Sequence, residues 1–218
     1  MDASIFLHSI VVVIHALSGV LALLSGLLNM VGSKKGKRHR AVGSFFVFMM
    51  LTSALTGILL ALTSGNWFLT VVGVFTAFMA YTGWVYQRKN NFTIPDVVAV
   101  FIMAGVGIFM TGYGIGLLLG GVVFGLVHVV FGGISLALVR TDLLVITKRK
   151  LFSQVAGVQH ISRMTGAFIA ALTAFLVVNE SLFANYVPGF FIWLLPTVLF
   201  TPFAVYWSRN LVQNKFNK

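Results

Sequence analysis

The chain has no cysteine, which excludes disulfides, thiolate metal ligands and a cysteine nucleophile. Acid is nearly absent as well: four Asp and Glu stand against 15 Lys and Arg, for a formal net charge of +11. Charged residues of both signs make up 9% of the 218 residues, whereas a soluble domain carries about 25%. So few charges cannot cover a water-facing surface, which excludes a soluble globular protein and a disordered one. What is abundant is apolar: 59% of the residues are hydrophobic, and the mean hydropathy is +1.00. An all-α, polytopic membrane protein is the class left.

Seven apolar stretches can be read, at 5–31, 41–62, 67–86, 96–119, 122–140, 161–178 and 189–207. Each approaches the roughly 20 residues that a helix needs to cross a bilayer. The first lacks a basic segment before it and is too long for the apolar part of a signal peptide, so it reads as a span. The fourth and fifth are separated only by Gly120 and Gly121. As one helix, 96–140 would reach about 67 Å at 1.5 Å per residue, twice the hydrocarbon thickness. Two helices joined by a glycine turn fit. The fourth stretch holds Gly112 and Gly116, a small-xxx-small pair suited to close helix packing. The seventh holds Pro196 and Pro202, each of which removes a backbone donor and bends the helix.

The cations sort to one side. Lys34 to Arg40, Arg88 and Lys89, the run from Arg140 to Arg163, and Arg209 onward all fall in alternate connectors. In a soluble chain such an imbalance would suggest nucleic acid; in tracts between apolar runs it is a topology signal. The positive-inside rule makes that side cytoplasmic, with the N-terminus outside and the C-terminus inside. Anionic lipids on that face are the expected partners of the basic tracts. The location expected is a cell inner (plasma) membrane.

A weak internal repeat is visible. His15 and Gly19 match His128 and Gly132; Arg40-Ala-Val-Gly-Ser-Phe45 matches Arg163-Met-Thr-Gly-Ala-Phe168; Val85-Tyr86 with Arg88 matches Val205-Tyr206 with Arg209. This predicts a single transmembrane domain of 3+1+3 form: residues 1–90, a linker helix at 91–119, and 120–218, the two triplets being related by an axis along the membrane normal.

Ionisable groups within a bilayer cost a few kcal/mol and mark candidate sites. Asp2, Asp96, Asp142 and Glu180 all read as lying at span ends or in connectors, which argues against carriers that couple through a buried acid. Histidine is left. His8 and His15 share a helix face two turns apart. If the repeat holds, His15 and His128 oppose each other in the outer half. Two imidazoles on facing helices provide axial ligation for a b-type haem. Gly19 and Gly132, each one turn further along, would leave room for a flat macrocycle. The same pair also suits hydrogen bonding across helices, or a substrate or proton pathway. His39 with Arg40 and His160 with Arg163 form a second set at cytoplasmic helix starts, suited to an anion, a haem propionate or a quinone head. Ligands for zinc are too scattered.

At His39-Arg40-Ala-Val-Gly43-Ser-Phe45, followed by Ser53, Ala54 and Gly57, the chain resembles a family of bacterial integral membrane proteins of unknown function with a His-Arg-x-x-Gly motif where a helix leaves the cytoplasmic face. The segment His160-Ile-Ser-Arg163-Met-Thr-Gly166-Ala-Phe168 is similar to such proteins too. The resemblance implies a multi-span inner-membrane protein and brings no activity with it. The histidine pair resembles small membrane cytochromes in logic only. Three readings follow: a redox protein binding haem b or quinone between helices one and five, a small-solute transporter of 3+1+3 form, and a non-catalytic anchor subunit.

Overall fold

A computed structural model describes residues 3–34, 36–182 and 189–216; Asp2, Lys35 and Lys218, counted in the charge reading above, lie outside them. Seven helices make up the fold: α1 (Ala3–Val31), α2 (Gly36–Thr63), α3 (Trp67–Arg88), α4 (Ile94–Leu119), α5 (Gly125–Thr147), α6 (Leu151–Val178) and α7 (Gly189–Phe216). A single 3-10 turn spans Glu180–Leu182, and the described residues contain no strand. All seven helices are long and apolar enough to cross a membrane.

Local chemistry sets the boundaries. Asn66 caps α3 by accepting a bond from the Leu69 backbone at 3.1 Å. At the start of α4, Asp96 reaches back to accept from the Thr93 backbone (2.7 Å) and hydroxyl (2.6 Å), beside Pro95 in the first turn. The α4–α5 turn forms where the glycine pair predicts it. Gly121 takes a positive φ of 79°, open to glycine without the Cβ penalty.

The helices are longer than the apolar runs. α6 starts at Leu151, ten residues before its expected start, and α5 continues to Thr147, seven past its expected end. Arg163 and Asp142 therefore sit inside helices instead of at their ends.

Packing is not symmetric between the two triplets. α1 lies along α2 and α2 along α3, whereas α5 lies along α4 and meets α6 at few positions. α4 is thus the main partner of α5 and not a linker, and Arg40 is exposed where Arg163 is fully buried. α3 is the most enclosed span and packs against α6, while α7 is the least enclosed and leans mainly on α6. Phe46, Met50, Phe78, Met103, Phe131 and Phe168 form part of one continuous core through the bundle. Basic residues gather at one end, called the basic end below.

Candidate functional site

His15 and His128 are held by different neighbours. The His15 ring turns onto α2, where Nδ1 donates to the Ser53 carbonyl at 2.9 Å and the ring rests on Gly57. His128 is buried on α5, where Nδ1 donates to the Phe124 carbonyl at 3.2 Å. Its ring is enclosed by Phe68 (centroids 4.5 Å), Tyr113 (5.4 Å) and Phe124 (5.5 Å). The expected facing pair is therefore corrected: α1 pairs with α2 and α5 with α4, so the two rings look into different contacts. The glycines follow the same partition. Gly19 lies beside Ser53 of α2, and Gly132 lies against Thr111 and Gly107 of α4, so Gly132 serves helix approach and opens no slot for a macrocycle. His8 is exposed.

The second set divides as well. Arg40 is exposed, and its neighbour His39 is half-buried with a buried Nδ1 that has no partner. His160 crosses to α3, donating from Nδ1 to the Gly83 carbonyl at 2.9 Å. α3 and α6 approach closely at Gly83, where a methyl would press on Met164 and the Arg163 stem. Arg163, expected to meet an anion at the membrane surface, is satisfied inside the protein. It donates to Asp142 Oδ1 at 2.7 Å and to Thr82 Oγ1 at 2.6 Å, and its guanidinium lies over Phe78 and Tyr86 at 5.2 and 5.1 Å.

The sequence reading does not bring these residues together in one buried cluster. Asp142 and Arg163 are both fully buried, so an acid does sit inside the bundle, contrary to expectation. The Tyr86 hydroxyl donates to the same Asp142 oxygen at 2.6 Å, while Oδ2 is buried without a partner. Near the same end, Asp96 receives Lys89 at 2.8 Å and the Tyr81 hydroxyl at 2.5 Å. Two tyrosines of α3 thus hold the acids of α4 and α5, which ties the α4–α5 pair to the rest of the bundle. Replacing Tyr86 with Phe removes one of two bonds to a buried carboxylate. We expect a loss of about 1–3 kcal/mol, read as a lower thermal midpoint in detergent, with the helical content kept.

Behind this cluster, α3, α5, α6 and α7 leave a cavity of about 420 Å³. Phe75, Met79, Phe131, Ile134 and Leu138 make an apolar wall from α3 and α5. Ser162 and Thr165 of α6, Thr197, Thr201 and Ser208 of α7, and Arg209 bring polar groups to the opposite wall. The cavity abuts the ion pair: Ser162 precedes Arg163, and the Leu138 carbonyl lies 3.4 Å from Arg163 Nη2. Neither His15 nor His128 lines it.

Seven apolar helices around a buried polar cluster define the class: a multi-pass helical membrane protein. No family model, curated protein or solved structure matches the chain.

Proposed function

We propose that the protein is a carrier for a small solute, resident in a bacterial inner membrane with its basic end in the cytoplasm. The observation that carries the reading is the cavity of about 420 Å³ among α3, α5, α6 and α7. Ligand sites of this kind are concave, mainly apolar and furnished with a few polar groups. The wall from α7 has the features of a moving part. It is the least enclosed span, it leans mainly on α6, and Pro196 and Pro202 interrupt its hydrogen-bond ladder beside Thr197 and Thr201. The Asp142–Arg163 pair next to the cavity ties α5 to α6, so it anchors the wall against which α7 would move. An intramembrane ion pair facing the bundle interior is also what substrate and ion pathways commonly contain.

The absence of cysteine makes the test direct. Single changes Ser162→Cys, Thr165→Cys and Ile169→Cys would each be exposed to a membrane-impermeant maleimide, from one side of oriented vesicles and then from the other. A carrier that opens alternately gives labelling from both sides at the same position. Labelling from one side only, or from neither, would overturn the carrier reading and leave an anchoring role.

A further inference from the structure

The hydroxyl groups of this bundle follow a rule with a localised exception. In apolar helices Ser and Thr usually bond to a carbonyl one turn back. Thr76, Thr82, Thr111 and Ser135 do so at 2.6–2.8 Å. Ser162, Thr165, Thr197 and Ser208 make no such bond, and all four line the cavity. Among the other α-helical Ser and Thr with described side chains, Ser53 bonds across to His15 instead, and only Thr173 has no partner at all. Thr165 carries the most weight: the residue is 5% exposed, yet its oxygen is not sealed in as that of Thr173 is, so the hydroxyl faces the cavity. A hydroxyl that faces the cavity without a protein partner is free to bond a ligand's oxygen.

Shape and charge narrow the ligand. From Thr197 to Arg209 the α7 wall runs twelve residues, about 18 Å. A cavity of about 420 Å³ drawn out along that wall is elongated, the shape that a hydrocarbon chain fills. α5 and α7 meet around Trp193, which packs on Phe124 and Phe131, and have few other contacts along the slot. At the basic end a second hollow of about 330 Å³ shares Val158, Ser208 and Arg209 with the slot and adds Gln213. Arg209 is exposed, and among the described residues no acid pairs with it. Guanidinium, hydroxyl and amide donors around one hollow suit a phosphate with several acceptor oxygens better than a carboxylate with two.

Resting on the cavity reading above, we infer that this slot binds a single-chain phosphate amphiphile of the monoacyl glycerophosphate type, taken from the leaflet at the basic end. The phosphate sits at Arg209, Ser208 and Gln213. The glycerol hydroxyl and ester oxygens meet Ser162 and Thr165. The chain runs along Phe75, Phe131 and Ile134.

The test uses the full-length protein in detergent, with 1-myristoyl glycerol 3-phosphate as the probe and binding followed by native mass spectrometry and thermal shift. Saturable one-to-one binding is expected. Arg209→Gln should weaken it about tenfold, Thr165→Val about threefold, and Ile134→Trp should abolish it by filling the slot. Thr197→Phe, which blocks the same slot from the less enclosed α7, serves if Ile134→Trp does not fold. Myristate and the two-chain phosphatidate should bind at least tenfold more weakly. Equal binding of phosphatidate, with no effect of either blocking variant, would mean surface lipid only and overturn the proposal. Equal binding of myristate would overturn the phosphate assignment. Labelling of the cavity cysteines from both sides without saturable probe binding sinks the ligand class and leaves the carrier standing. Probe binding with labelling from one side only does the reverse.

Discussion

Replacing Arg163 with methionine is expected to cost about 3–5 kcal/mol of stability, the range for breaking a buried ion pair by removing one partner. The magnitude follows from what is left behind. Asp142 would keep the Tyr86 hydroxyl on Oδ1, while Oδ2 already lacks a partner. The carboxylate would then be fully buried with a single hydrogen bond and no countercharge. Asp142→Leu alone should be comparably harmful, because it strands a guanidinium that has Thr82 as its remaining short contact. The double variant Asp142→Leu/Arg163→Met should regain most of the loss, since apolar replacement of a buried pair is often neutral or stabilising. Thermal midpoints of the four proteins in one detergent close the cycle. Single losses below about 1 kcal/mol would show that water reaches the pair, and would remove it as the anchor of the α5–α6 wall.

The same pair explains where sequence reading stops. Seven spans, the glycine turn and the proline-bearing seventh helix were all legible, because each depends on local composition. The burial of Asp142 and Arg163 was not, because charged residues are read as belonging at span ends. That rule holds for a lone charge in lipid and fails for two that neutralise each other. A signal was present: Leu143 to Ile146 continue the apolar pattern after Asp142, and Phe152, Val155 and Val158 precede Arg163. The expected facing of His15 and His128 differs from the structure for a related reason. Matching His-x-x-x-Gly segments describe two helix faces but not which helix each face meets. α5 packs on α4 through Gly107, Gly114 and Gly132, and that approach takes up the glycine assigned to a macrocycle. The cavity was beyond reach for the same cause: it lies among α3, α5, α6 and α7, whose placement is a property of the assembled bundle.

The sharpest check on that packing lies in the glycines of α4. Gly112 and Gly116 looked like its contact pair, but both are exposed, and a methyl added at either meets nothing within 4 Å. The close approach is made one face over. A methyl on Gly114 would lie 2.7 Å from the Gly125 carbonyl and from the His128 Cβ, and one on Gly132 would lie 2.7 Å from the Thr111 backbone nitrogen. Backbone cannot step aside as a side chain can, so Gly114→Ala and Gly132→Ala should each cost about 1–3 kcal/mol or more by overpacking. Gly112→Ala and Gly116→Ala should be neutral, or gain up to about 1 kcal/mol from better helix propensity. Thermal midpoints of the four variants, measured together, decide between the faces. Losses at Gly112 and Gly116 equal to those at Gly114 and Gly132 would mean that another protein surface covers the lipid-facing side of α4. A selective loss at Gly114 would also disturb His128, whose Cβ is the atom the new methyl strikes. That histidine would then be a packing residue of the α4–α5 contact, whose aromatic surroundings depend on the two helices staying this close.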